Sequence, residues 1–264
     1  MCLLRTSRNW GLGTPPSPPL RGKPCEPPCG MKPINLSFSA CGFLAIYHLG
    51  AASALCRHGR KLLKDVKAFA GASAGSLVAS VLLTAPEKIE VFKGFVYAFA
   101  EETRGQVLGG ATPGYDVMAR LRSGMESVLP PDAHELAHSR LHVSISDIKT
   151  RENALVSSFP SREDLIQRWV DGGLTNSLPI LPVGRTVTIS PFSGRSDISP
   201  RDKGQLNLHL TVANQDVTLS VANLARLRQV LFPPRRTGLE SLHQRGFDDA
   251  VRFLLEEDRF EQDA

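Results

Sequence analysis

From Ile34 onward the chain alternates between two hydrophobic periods. Ile34-Asn35-Leu36-Ser37-Phe38 is apolar at every second position, as in a strand, and residues 43–57 follow with a helical pattern that ends near Gly59. Val66-Lys67-Ala68-Phe69-Ala70 alternates again, and the apolar run from Gly75 to Leu83 reads as a buried helix closed by Pro86. Phe92, Phe95, Val96 and Phe99 stand at i, i+3, i+4 and i+7, one face of a helix. That aromatic stripe reads either as core or as the wall of an acyl-chain pocket. A further helix is expected over residues 115–128 and a strand over Leu141-His142-Val143-Ser144-Ile145. Residues 154–159 can pair with that strand across the polar Lys149-Thr150-Arg151-Glu152-Asn153 turn, and residues 186–189 form another short strand. Two amphipathic helices close the chain, over residues 219–231 and 239–255, separated by Pro233-Pro234. Strands interleaved with helices predict an α/β fold with a mostly parallel central sheet, and no internal repeat is visible.

The segment between the second strand and its helix carries the chemistry. Gly71-Ala72-Ser73-Ala74-Gly75 is a Gly-x-Ser-x-Gly pentapeptide at a strand-to-helix bend. Such a bend lifts the serine out of the sheet, and Gly71 and Gly75 leave room for neighbouring backbone where a Cβ would collide. The helix N-terminus aims free N–H groups and a positive dipole end at the serine oxygen and at any oxyanion beside it. The plainer alternative is a tight turn whose serine only caps the helix. An acyl-transfer serine also needs oxyanion donors and a base. Ala40-Cys41-Gly42-Phe43-Leu44, between the first strand and its helix, offers backbone N–H groups around Cys41, Gly42 and Phe43. Asp171-Gly172-Gly173 offers a carboxylate on a glycine turn, against the alternative of an ordinary Asp-Gly turn. The histidines lie less well for a base: His48 and His58 on a helix flank, His134, His138 and His142 on a helix and strand.

Composition narrows the classes. At 264 residues and 42% hydrophobic content the chain can bury a sizeable core as one domain. The absence of a dense Lys/Arg cluster argues against nucleic acid, and the mild net charge of +5 fits a surface drawn to anionic lipid no better than it fits no charged partner at all. Cysteines at positions 2, 25, 29, 41 and 56 give no metal-ligand spacing; Cys41 and Cys56, in apolar segments, read as reduced and buried. No apolar stretch approaches the roughly 20 residues that span a bilayer, so membrane contact is expected to be peripheral. Residues 1–30 hold seven of the 19 prolines without hydrophobic periodicity and read as a disordered extension before a domain over residues 31–264, with its core about 34–190. The first 25 residues carry Arg5, Arg8, Arg21 and Lys23 but no acid, which vaguely resembles a mitochondrial presequence, although the prolines break an amphipathic helix.

The three loops, in this order, resemble those of the patatin-like phospholipase domain family, and Asn35-Leu36-Ser37-Phe38-Ser39-Ala40-Cys41-Gly42-Phe43-Leu44 is similar to its adiponutrin branch. The resemblance covers nearly all of the chain beyond residue 31. It implies a three-layer α/β sandwich, no cofactor or metal, and a Ser–Asp dyad in which Ser73 attacks and Asp171 takes the proton. Cys41, Gly42 and Phe43 would then hold the oxyanion, with Gly71, Gly75, Gly172 and Gly173 as the motif glycines. Implied substrates are long-chain esters (triacylglycerols, phospholipids or retinyl esters) at a lipid droplet or membrane surface in the cytoplasm, with hydrolysis or transacylation as the outcome.

Two departures from the family pattern stand out. Ala45 occupies a position where the branch usually has glycine. Ser73 and Asp171 are 98 residues apart, about twenty fewer than the pattern requires, and Ser161-Arg162-Glu163-Asp164-Leu165-Ile166-Gln167 starts a helix that runs directly into Arg168-Trp169-Val170-Asp171. Trp169 and Val170 are too few to form a strand that delivers the aspartate. The rival expectations are therefore an α/β-hydrolase using a distant histidine such as His209 or His243, and a catalytically silent or poorly folded variant that only binds lipid surfaces. The last amphipathic pair bears on this: Leu224, Leu227, Val230 and Leu231 opposite Arg226 and Arg228 could face lipid or pack on the sheet.

Overall fold

The structure, a computed structural model, describes residues 33–107, 110, 112–146, 150, 152–167, 175–202 and 209–262. The expected extension over residues 1–30 and the loop with Asp171, Gly172 and Gly173 lie outside the described residues. Strand β1 (Ile34–Phe38) ends in a short 3-10 turn (Gly42–Leu44) that leads into α1 (Ala45–His58) and α2 (Arg60–Asp65). Then come β2 (Val66–Ala72), α3 (Ala74–Thr84), α4 (Ile89–Arg104), α5 (Val117–Val128) and α6 (Ala133–Ala137). They are followed by β3 (Leu141–Ser146), β4 (Asn153–Val156), α7 (Arg162–Gln167) and β5 (Arg185–Ile189). A hairpin of β6 (His209–Val212) and β7 (Gln215–Thr218) precedes α8 (Val221–Leu231) and α9 (Arg236–Glu256).

The five-stranded sheet has the order β4-β3-β2-β1-β5, parallel except for β3 against β4. β1 is paired on both sides, next to the edge strand β5, with Leu36 opposite Phe69 of β2 and Val187 of β5. Its alternation separates two buried faces rather than core from solvent. Leu36 and Phe38 enter the apolar core, while Asn35 and Ser37, equally buried, donate to the carbonyl oxygens of Val183 and Pro179 at 2.7 and 2.6 Å. A buried polar side chain is tolerated where a hydrogen bond replaces its lost water.

Local chemistry explains most boundaries. Asp116 caps α5 by accepting from the Ala119 N–H at 2.9 Å, and Ser161 caps α7 by accepting from the Asp164 N–H at 3.0 Å. α1 and α9 cross where Gly50 faces the His243 carbonyl and Gly246 faces the Tyr47 carbonyl, each too close for a Cβ. Tyr47 seals this crossing by donating to Asp249 at 2.6 Å, and Leu239, Ala250, Phe253 and Leu254 of α9 join the main core.

The sequence pattern misses four elements, two helices and the two strands of a hairpin. α2 and α6 are one or two turns long, too short for periodicity to register. The β6–β7 hairpin turns through Ala213 and Asn214, both at positive φ (46° and 64°), a primed turn that needs no glycine because asparagine tolerates the left-handed region.

Candidate functional site

β2 delivers Ser73 to the C-terminal end of the sheet, where the backbone reverses into α3. Ser73 sits at φ 51°, ψ −129°, a region that costs a side-chain-bearing residue about 1–3 kcal/mol. The bend closes because Gly71 lies against the Ser76 amide, 2.6 Å from where a Cβ would be, and Gly75 lies against the carbonyls of Phe38 and Ser39. Ser76 donates to the Ser73 carbonyl through both its N–H (2.9 Å) and its hydroxyl (2.6 Å), fixing the turn. The Ser73 hydroxyl makes no capping bond to α3 and meets no hydrogen-bond partner among the described residues. It is half-buried, at the N-terminal end of α3.

The second loop is built by β1. The Ser39 and Ala40 amides are spent on the carbonyls of Ile189 (3.0 Å) and Ser177 (2.7 Å), which anchor the strand end. Beyond them the chain turns at Gly42, φ +52°, where a Cβ would collide with the Val230 carbonyl of α8. Among the described residues, the amides of Cys41, Gly42 and Phe43 have no acceptor. Burial pushes the Cys41 thiol up, so it stays protonated. Ala45 begins α1 in ordinary helical geometry (φ −50°), so its methyl strains nothing.

Behind this loop His48 is fully buried, its Nε2 3.0 Å from the Ser39 carbonyl, and burial lowers its pKa to about 4. It is therefore neutral at pH 7 with the proton on Nε2, donating to Ser39.

Two apolar cavities meet at Ser73. One, about 440 Å³, runs between α3, α4 and α5 and is lined by Leu77, Phe92, Val96, Phe99 and Leu121. The aromatic stripe of α4 thus serves both expectations, as core and as cavity wall. The other, about 620 Å³, is lined by Cys41, Phe192, Val217 and Leu224, with Ser177, Gln215 and Asn223 as polar groups. Gly42, Ser73, Val230 and Leu231 border both.

Asp171 itself lies outside the described residues, but both flanks of its segment reach the site. Upstream, Ile166 of α7 lines the first cavity; downstream, Ser177 lines the second. The Thr175 amide donates to Ser146 Oγ at 3.2 Å, and Ser144 Oγ donates to the Asn176 carbonyl at 2.8 Å, which ties the downstream flank to the end of β3 beside β2. Among the described residues no histidine lines either cavity. His243 sits on α9 against α1, His142 on β3, and His58 stacks on Phe260.

Sequence reasoning missed Ser177 and Val230, whose roles arise from contacts 137 and 188 residues away along the chain, with Ala40 and Gly42 respectively. The expectation that α8 packs its leucines on the sheet is overturned. Leu224, Leu227 and Leu231 are 57%, 60% and 67% exposed, while Arg226 is buried. Polar anchoring sets this orientation. Arg226 grips Asp202 with two bonds of 2.6 and 2.8 Å, and Asn223 donates to the carbonyls of Ser193 and Thr218.

Comparison with known proteins places this architecture. Residues 36–165 match the family described as patatin-like phospholipase. The chain is 69% identical to human patatin-like phospholipase domain-containing protein 4 over 253 residues, covering 88% of this chain and 100% of that protein. It is 36% identical to human patatin-like phospholipase domain-containing protein 2 over 84% of this chain and 48% of that protein. It is 32% identical to the human 1-acylglycerol-3-phosphate O-acyltransferase PNPLA3 over 84% of this chain and 50% of that protein. The chain thus spans the whole of the first relative and about half the length of the other two. Since 88% of 264 residues is about 232, the 253 positions of the first relative include about twenty with no counterpart here, a shortfall of the size expected from the Ser73–Asp171 spacing. By these matches and its mostly parallel, helix-flanked sheet, the chain belongs to the patatin-like phospholipase family of lipid ester hydrolases.

Proposed function

We propose that the chain is a serine acyl hydrolase acting on long-chain lipid esters (triacylglycerol, phospholipid or retinyl ester) at a droplet or membrane surface through a Ser73–Asp171 dyad. One observation carries the reading: a hydroxyl on strained backbone stands where two apolar cavities meet, beside the amides of Cys41, Gly42 and Phe43, and none of these groups has a hydrogen-bond partner among the described residues. Ser73 Oγ attacks the ester carbonyl while its proton passes to the Asp171 carboxylate. Aspartate is a weak base, with an ordinary pKa near ~4, so transfer must be concerted with attack and take place away from water. The loop amides stabilise the tetrahedral oxyanion, which fixed N–H donors do at no reorganisation cost. Collapse returns the proton from Asp171 to the leaving alcohol and leaves an acyl group on Ser73. Water, or a second alcohol in transacylation, then releases it. In this reading residues 31–264 form the catalytic domain and residues 1–30 stand outside it.

The shortfall of about twenty positions favours one second reading, a catalytically silent chain that keeps only lipid binding. A fluorophosphonate probe separates the two. The purified chain should be labelled, whereas Ser73→Ala and Asp171→Asn should not. Labelling that appears only when the absent stretch is restored before Asp171 would establish the silent reading. Unchanged labelling of Ser73→Ala would end the serine assignment.

A further inference from the structure

α8 is built inside out for a surface helix of a water-soluble protein. Its polar side chains Asn223 and Arg226 point inward to fixed partners, while Val221, Leu224, Leu227 and Leu231 form an exposed stripe. Phe232, Leu219 and Leu210 of the hairpin, each about half exposed, extend that stripe. The patch is continuous with the site: Leu210, Leu219, Leu224 and Leu227 border the larger cavity at Ser73, and Leu231 and Phe232 border the smaller. A contiguous exposed apolar face rimmed by charge marks a docking surface.

The rim says what docks. Arg228 flanks the leucines on the exposed face of α8, and Arg235 follows the helix. Arg122 borders the smaller cavity, and Arg104 reaches the Pro233 carbonyl at 3.2 Å. Among the described residues none of these four meets a carboxylate, whereas Arg226, Arg236 and Arg245 nearby are all paired. Leucines flanked by guanidinium groups that meet no carboxylate among the described residues suit a surface with acyl chains inside and anionic headgroups outside.

We infer that α8 and the β6–β7 hairpin form the docking face for an anionic phospholipid surface, seating the mouths of both cavities in the lipid. This deepens the lipid-ester reading by naming the surface that supplies the substrate, and its test does not require turnover. The purified full chain is sedimented with phosphatidylcholine/phosphatidylserine vesicles and with pure phosphatidylcholine vesicles, at low and high salt. The wild-type chain should bind the anionic vesicles and release on raising salt. Leu224→Ser with Leu227→Ser should weaken binding about tenfold or more, since each leucine contributes to the apolar insertion. Arg228→Glu with Arg235→Glu should remove the preference for anionic lipid, and Val183→Ser, an exposed apolar residue at the opposite end of the sheet, should change nothing. Because the substituted side chains are exposed, thermal melting should confirm that each variant folds.

Equal binding by the leucine variant, or none by the wild type, would overturn the proposal. So would light scattering that shows a dimer abolished by the leucine changes without vesicle binding. Ser73→Ala should bind vesicles normally, so failure of the wild-type chain to take the probe while it still binds vesicles counts only against the catalytic reading.

Discussion

Ser73 shows how one residue concentrates backbone strain. Its backbone lies where only glycine is at ease, and the strain is held by Gly71, Gly75 and the double bond from Ser76. Ser73→Gly should therefore raise stability by about 1 kcal/mol while abolishing labelling, a trade visible in thermal melts beside probe labelling. Gly42→Ala should lose several kcal/mol, because the methyl would both strain a positive φ and collide with the Val230 carbonyl. His48 carries the pH dependence. Its folded pKa of about 4 lies below the ordinary ~6.5, so the unfolded chain binds the proton first as pH falls. Stability should drop by about 3 kcal/mol between pH 6.5 and 4, and His48→Gln should flatten that slope in urea titrations at several pH values. The Gly-x-Ser-x-Gly motif announces the bend in the sequence, since its glycines are local requirements. Nothing local announces that His48 is buried and holds the Ser39 carbonyl; it reads as one more helix-flank histidine.

At the scale of elements α8 is the instructive case. Periodicity identifies the helix but assigns its leucines and arginines no direction, and the usual rule buries the leucines. Here the Asp202 carboxylate, the Ser193 backbone and Asn223 reverse it. Arg226→Met should cost about 2–4 kcal/mol, because it removes the two-bond partner of the Asp202 carboxylate and leaves the 2.9 Å bond to the half-exposed Arg245. Bonding to Arg226 also holds the Asp202 carboxyl down at about 2, below its ordinary ~3.9. The contribution is complete above pH 4 and lost as pH falls toward 2, so in thermal melts the difference between the wild type and Arg226→Met should shrink over that window. The β1, β2 and α3 boundaries, by contrast, were legible because strand alternation and the glycine-flanked turn are set within a few residues.

For the whole molecule, the family architecture assembles a site from loops far apart in sequence. The Gly42 loop rests on Val230, the serine bend on β1, and the flanks of the Asp171 segment on α7 and β3. Restoring the absent stretch should raise the rate of probe labelling at Ser73 without weakening vesicle sedimentation, since the docking face and the dyad draw on different segments.

What the sequence determined by itself is the order of the longer strands and helices, the α/β class they build and the serine bend. These follow from period, chain stiffness and turn chemistry, which act between residues close along the chain. The tertiary structure alone decided which face of α8 meets solvent, that two cavities share Ser73, and that His48 is neutral and buried. Each of these depends on partners brought together from distant segments, and a side chain's environment is fixed only when such partners meet.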